Sequence, residues 1–391
     1  MQKSHLFTPG PTMVPGDVAL AGAKDMIHHR TDQFKAIYVK CAGQLKQLFE
    51  TSQPVLVLLG SGTAAMEAAV DAVVAPGEKM ISFNGGKFGE RWGKIGRNLG
   101  CDVHEVKYEW SDFAGVDKLE QALKDCPDAV AVFCQLNETA SGVGNPVKDL
   151  AEVCHKAGKL IVVDGISGLS AMKCPMDEWG LDIVLTGSQK GLMLPPGLAF
   201  IAMSEKAQQK MAGHGARLFY NDLRAQLKAD GKSTHAWTSG VSLYQQLSVA
   251  LDMMLEEGID NIIHRCHVQG DAVRAAAKAH GFELLNAASP GDVLTPILMP
   301  ESVKASEVAK YCRGHWGIYF AAGQDDYKDK IVRIGHLGYQ DHFETIMAIA
   351  AFEMAMKHFG LDIELGKGVK AAQEILMADL EEQERKSAAA G

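Results

Sequence analysis

Short apolar runs recur along the first two thirds of the chain, separated by stretches with helical spacing. Val55–Leu59 (VLVLL), Lys79–Phe83 (KMISF), Ala129–Cys134 (AVAVFC), Leu160–Val163 (LIVV), Ile183–Thr186 (IVLT) and Leu198–Ala202 (LAFIA) are the strand candidates. Their hydrophobicity is nearly continuous, as expected for strands covered on both faces. A helix after Gly62 places Met66, Ala69, Val70 and Val73 on one stripe. Another spans about 146–157, with Pro146 as a fitting first residue. This alternation of strand and helix predicts a mostly parallel α/β sheet. IVLT and LAFIA are only about ten residues apart, which suits a tighter, antiparallel connection.

From about Val241 the pattern changes. Long helical stretches at 241–256 and 259–281 precede β-like pieces at Val293–Leu298 and Lys330–Ile334, with a helix near 304–313 between them. A long helix follows over 340–358. The run Glu381–Gly391 reads as a solvated helix end that frays. The opening segment holds Pro9, Pro11 and Pro15 and is expected to run extended over another part of the fold. The expected organisation is an extended segment over 1–15, a large domain over 16–257 and a smaller α+β domain over 258–391. A chain of 391 residues is too long for one ordinary core.

Composition narrows the class. Charged residues are 22% and hydrophobic ones 47%, the profile of a soluble globular protein. A formal charge of −9 and the lack of a basic stripe argue against a nucleic-acid partner. No window approaches the roughly 18 apolar residues of a membrane span. The opening MQKSHLFTPGPT lacks the apolar core of a secretory signal. The eight cysteines, at 41, 101, 126, 134, 154, 174, 266 and 312, form no C-x-x-C pair. They are expected to be buried reduced thiols in a cytoplasmic protein, with no metal site.

Four segments carry candidate chemistry. Gly60-Ser61-Gly62-Thr63 follows one strand and opens a helix. Free N–H groups, the helix dipole and two hydroxyls could cradle a phosphate there, although a plain turn with a capping Ser or Thr fits the same residues. The segment is neither G-x-x-x-x-G-K-[ST] nor G-x-G-x-x-G. Asp164 ends the LIVV strand, where open α/β sheets place ligands. It could cap the next loop, or keep a pyridine nitrogen protonated so that the ring withdraws electrons. Lys190, in TGSQKG, lies among small residues before Leu194-Pro195-Pro196-Gly197. A lone lysine after a strand is usually solvated, whereas a Schiff-base lysine needs a desolvated or positively biased site. Arg333 sits inside the apolar run VRIG, where a charge rarely goes unpaired. Its planar fork suits a substrate carboxylate or an internal Asp or Glu.

The order and wording of these segments resemble the class V, fold-type I pyridoxal-phosphate aminotransferases, in particular the alanine–glyoxylate / serine–pyruvate branch. The resemblance runs from Thr8 to about Phe359. It rests on TPGPTMVP at 8–15, HHRTDQF at 28–34, NGGKFGERW at 84–92, NETASGV at 137–143, VVDGISG at 162–168, GSQKGLMLPPGLAF at 187–200 and IVRIGHLG at 331–338. It implies a seven-stranded-type sheet with helices on both faces as the large domain. The cofactor would be pyridoxal 5′-phosphate, held as a Schiff base on Lys190. Ser61, Gly62, Thr63 and Gln189 would hold its phosphate, and Phe88, tryptophan in some members, would stack on its ring. Thr139 would lie near the phenolic oxygen, Asp164 would pair with the ring nitrogen, and Gly10 and Arg333 would meet the substrate. In the family a neighbouring subunit completes the phosphate site with a threonine and a tyrosine. Thr238 fits the threonine, and His235 stands at the tyrosine's place. A homodimer with shared sites is therefore implied.

The implied activity is a ping-pong transamination from a small L-amino acid (alanine, serine or aspartate) to glyoxylate or pyruvate. Other readings are a 2-aminoethylphosphonate–pyruvate transaminase, a cysteine desulfurase and a non-catalytic partner protein that keeps the fold. Desulfurases of this fold usually carry histidines where Gln189 and Phe88 stand, and a catalytic cysteine on a mobile loop. Cys312, the best candidate for the latter, lies in the helical pattern VAKYCRG.

Overall fold

The structure, a computed structural model, describes residues 3–390; Met1, Gln2 and Gly391, which fall in the expected N-terminal segment and tail, lie outside them. Seven strands build the main sheet: β1 (Val55–Gly60), β2 (Lys79–Asn84), β3 (Asp102–Lys107), β4 (Ala131–Gln135), β5 (Leu160–Asp164), β6 (Ile183–Gly187) and β7 (Gly197–Met203). Their spatial order is β1-β7-β6-β5-β4-β2-β3. The pairs β2–β3, β2–β4, β4–β5 and β5–β6 are parallel, and β7 runs antiparallel to both β6 and β1. The expected antiparallel connection is thus present. β3 (DVHEVK) was not anticipated, because it is an edge strand whose side chains are only partly buried or exposed.

Period-two alternation distributes each strand between two cores. Val55 and Val57 of β1, Ile161 and Val163 of β5, and Phe200 of β7 face one cluster, together with Phe34, Leu45 and Phe49 from α1 (Asp32–Phe49). Leu56 and Leu58, Leu160 and Val162, and Ala199 and Ile201 face the other. That face is covered by α2 (Gly62–Val73), through Met66, Ala69, Val70 and Val73, and by Trp92 of α3 (Lys87–Asn98). Both faces are buried, which is why the strands read as nearly unbroken apolar runs. Most of the connections between parallel strands run through a helix, one of them α4 (Val147–Lys156), whereas residues 165–182 join β5 to β6 without one. The carboxyl ends of β1, β2, β4, β5 and β6 consequently share one edge of the sheet, the edge at which such folds gather ligands.

The remainder follows α5 (Val241–Glu257) and α6 (Ile259–Ala279). A three-stranded antiparallel sheet holds β8 (Leu294–Leu298), β9 (Ala321–Ala322) and β10 (Ile331–Gly335), in the order β8-β10-β9. It packs with α7 (Ala305–Trp316), α8 (His342–His358) and α9 (Lys367–Ala390) around a third apolar cluster. Phe7 joins that cluster, because residues His5–Leu6 pair in parallel with Ile318–Tyr319. No helix among the described residues is long and apolar enough to cross a membrane.

The far end of α2 is fixed electrostatically. Buried Asp71 accepts hydrogen bonds from the Arg217 N–H (2.9 Å) and Nε (2.8 Å), with Arg224 Nη1 at 3.5 Å. Arg217 also donates to the Leu99 and Val74 carbonyls, both at 2.6 Å. Asp71→Ala leaves the partly buried Arg217 guanidinium without its carboxylate, while Arg224 keeps Asp222 at 3.2 Å. It is expected to cost about 3–5 kcal/mol and to lower the thermal midpoint clearly; a midpoint equal to that of the parent protein would refute this anchoring.

Candidate active site

Two glycines bring the expected cradle to the sheet edge. Gly62 is the first residue of α2, and a Cβ there would stand 2.4 Å from Ile166 Cδ1. The helix therefore begins directly above the loop that follows Asp164. A Cβ on Gly187 would lie 3.3 Å from Gln189 Oε1 and 3.6 Å from the Gly62 nitrogen, so β6 and its loop meet the same spot. Ser61 occupies the cap position of α2 but makes no side-chain cap bond. The capping explanation of GSGT therefore fails, and the hydroxyl remains available. As first-turn groups, the Gly62 and Thr63 N–H have no intrahelical acceptor. Gln189 Oε1 is buried with no hydrogen-bond partner among the described residues. Thr63 Oγ1 accepts from Arg91 Nη1 at 3.0 Å, which leaves its own proton free to donate.

Lys190 is buried, and its Nζ donates to the Pro9 carbonyl at 2.7 Å. Gly10, at φ +130°, lies across the side chain; a Cβ there would be 2.4 Å from Lys190 Cδ and 2.5 Å from Nζ. No other residue type fits that approach. Thr12 fastens the strap, with its N–H on the Gln189 carbonyl (3.1 Å) and Oγ1 on the Lys190 carbonyl (2.9 Å). Burial, helped by the charges of Arg333 and Arg91, pulls the Lys190 amine down to about 8, although Asp164 opposes the shift. Asp164 is pushed up to about 6 by burial, against an Ile166 N–H bond of 2.8 Å to Oδ1 and the nearby cations. Its Oδ2 accepts no hydrogen bond among the described residues. Thr139 Oγ1 bonds Ser167 Oγ at 2.7 Å.

Arg333, in β10, reaches across to this edge. Nη1 donates to the Thr139 carbonyl at 2.8 Å, while Nε and Nη2 share the Ala322 carbonyl at 3.2 and 2.7 Å. Among the described residues no carboxylate stands within ion-pair distance of it, so the internal Asp or Glu partner is absent. Burial lowers its pKa to about 10. Phe88, second residue of α3, is half-buried and carries the Arg91 guanidinium 4.9 Å from its ring centre.

Thr238 and His235 do not join this cluster within one chain. Thr238 is exposed and shares a concave surface with His28, His29 and Ser239. His235 is buried against Tyr38 and Tyr244, bonded to the Tyr244 hydroxyl, and held neutral by burial at a pKa of about 4. Cys312 lies inside α7 and is buried, with its thiol pushed up to about 12, so it is no mobile nucleophile. Sequence reasoning passed over Thr12, Arg91, Glu138 and Ser167. All four lie inside segments singled out above, but only tertiary contacts reveal what they hold.

The donor set fits pyridoxal phosphate. It offers uncommitted hydroxyls and N–H groups for a phosphate, a Gln189 amide whose NH2 could donate beside them, a carboxylate lacking a partner for a ring nitrogen, and a partly neutral amine for an aldehyde. Because only the neutral amine attacks an aldehyde, cofactor-free protein should take up pyridoxal 5′-phosphate faster as pH rises through about 8, then level off. Stopped-flow absorbance measures this. A rate that does not change across that range would contradict the lowered pKa.

A sequence model of the family Aminotransferase class-V matches residues 10–332. The chain is 36% identical over 380 residues to the soluble hydrogenase 42 kDa subunit of Anabaena cylindrica, covering 95% of this chain and 98% of that protein. It is 33% identical over 387 residues to the serine–glyoxylate aminotransferase of Methylorubrum extorquens, covering 96% of each. Among solved structures, the ureidoglycine-glyoxylate aminotransferase of Bacillus subtilis has a TM-score of 0.91 at 24% identity, over 96% of this chain and 99% of that one. A structural likeness at that identity speaks to the fold. The family match spans most of the chain and takes in every strand of the main sheet and the buried lysine, so the chain belongs to the class V aminotransferases, which work with pyridoxal 5′-phosphate.

Proposed function

We propose that this enzyme moves the amino group of a small L-amino acid, such as serine, alanine or aspartate, to glyoxylate or pyruvate. The observation that carries the reading is Arg333, a buried planar cation at the site with no carboxylate of its own among the described residues. An α-carboxylate shared by donor and acceptor meets its need for a counter-charge. The likeness to a serine–glyoxylate aminotransferase supports this choice of substrates.

When bound, the cofactor supplies an aldehyde for amine exchange and a ring that withdraws electrons from the substrate Cα. Ser61, the N–H groups of Gly62 and Thr63, and Gln189 would hold the phosphate. Phe88 would cover the ring, and Thr139 would meet the phenolic oxygen. Asp164 would keep the ring nitrogen protonated, and that cation would give this buried carboxylate the partner it lacks. Lys190 would hold the aldehyde, and its amine, once freed by the amino acid, would serve as the base that takes a proton from the substrate Cα and the acid that gives it back. Gly10 keeps the path of that amine clear. Reversal with a second 2-oxo acid closes the cycle, so kinetics are ping-pong. The working form is a homodimer in which Thr238, exposed in one chain, serves the phosphate of the other.

A second reading is favoured by one observation: the likeness to a soluble hydrogenase subunit, which suits a non-catalytic role in an assembly. Single half-reactions separate the two. Donor amino acid alone should release about one 2-oxo acid per Lys190, and a 2-oxo acid should restore the starting spectrum. No release with any donor in a donor–acceptor matrix would favour the assembly role. Arg333→Lys should raise KM for every α-carboxylate substrate by roughly tenfold or more, with a smaller change in kcat. An unchanged KM would remove Arg333 from substrate recognition.

A further inference from the structure

Glu138 is a buried carboxylate with no role in the account above. One oxygen, Oε2, accepts the Gly89 N–H at 2.9 Å. The other, Oε1, accepts the Ala140 N–H at 2.9 Å and the Phe88 N–H at 3.4 Å. Two of these three donors are first-turn groups of α3. That helix begins after Gly86 and has no side-chain cap of its own. Glu138, some fifty residues further along the chain, takes over that function. Gly86 makes room for it: a Cβ there would stand 2.5 Å from Glu138 Cδ and 2.6 Å from Cγ.

Three site residues depend on this carboxylate. It fixes Phe88 through the backbone of α3. It fixes the turn that holds Thr139 through the N–H of Ala140. Through Thr139 it also fixes Arg333, whose Nη1 lies on the Thr139 carbonyl. Glu138 is also the negative charge that favours the charged form of Arg333. The two do not form an ion pair, so the anion offsets part of the cost of burying the guanidinium without filling its fork. Burial pushes Glu138 itself up to about 7, while its three N–H bonds pull the other way.

We propose that Glu138 is a positioning residue of this site, holding Phe88, Thr139 and Arg333 in the arrangement that receives cofactor and substrate carboxylate together. The proposal rests on the roles given above to those three residues. In Glu138→Gln the side chain keeps its shape but turns an NH2 group toward backbone N–H groups, so at least one bond becomes a clash of donors.

Cofactor-free E138Q should bind pyridoxal 5′-phosphate roughly tenfold or more weakly, read by absorbance titration. The loaded variant should show KM for α-carboxylate substrates raised several-fold, and kcat lowered less. Gly86→Ala displaces the same carboxylate while keeping its charge. It should give the same pattern, and it stands in if E138Q does not fold. Cofactor affinity and KM within about twofold of the parent protein in either folded variant would overturn the proposal, as would a fall in thermal midpoint with neither constant moved. Arg333→Lys assayed alongside separates the two readings. If R333K leaves KM unchanged, the assignment of Arg333 fails, and cofactor affinity still decides for Glu138. If R333K raises KM while E138Q changes nothing, only the role of Glu138 fails.

Discussion

Burying Lys190, Asp164 and Arg333 at one edge of the sheet places three ionisable groups where water cannot pay their solvation in full. Each is displaced toward its neutral form: the amine to about 8, the carboxyl to about 6, the guanidinium to about 10. Desolvation is the leading cause every time. Among the described residues Arg333 has carbonyl oxygens but no carboxylate, and Asp164 accepts one N–H bond. Such an arrangement is expensive for a protein on its own. In the proposed function a ligand would bring the missing charges: a ring nitrogen that carries a proton, an aldehyde that consumes the amine, and a carboxylate that fills the fork.

The fold supplies this edge by construction. Parallel strands deliver the Gly60–Thr63 turn, Asp164 and the Lys190 loop to the same side, and β7, running the other way, ties β1 to β6. The strap at residues 9–12 closes over the lysine, which explains why a glycine at positive φ sits there and why Thr12 bonds to the lysine's own carbonyl. Arg333 arrives from a separate antiparallel sheet, so the site spans two packing units, joined by its Nη1 donating to the Thr139 carbonyl and by backbone bonds such as Gly291 N–H to the Gly142 carbonyl. Glu138 lies where these parts meet.

Much of this was legible in the sequence, because burial on both faces leaves a strand no polar positions. β1, β2 and β4 to β7 announce themselves as apolar runs, and the change of pattern near residue 241 marks the second sheet. β3 escaped because an edge strand need not be apolar. Asp164 and Arg333 stood out as charges at apolar runs, and Lys190 as a lysine among small residues before two prolines. Glu138 and Arg91 did not. A glutamate beside a turn and an arginine in an amphipathic helix are ordinary on a surface, and only the fold reveals that one caps a distant helix while the other lies on Phe88 and Thr63. The same limit applies to His235, whose burial against Tyr38 and Tyr244 is a tertiary fact.

The central claim is that the amine of Lys190 is the covalent anchor of the cofactor. Borohydride reduction of the yellow holoenzyme, followed by proteolysis and mass mapping, tests it most directly. The account predicts a pyridoxyl group on the peptide that contains Lys190 and none in Lys190→Ala. Colourless protein, or a label on any other lysine, would contradict it.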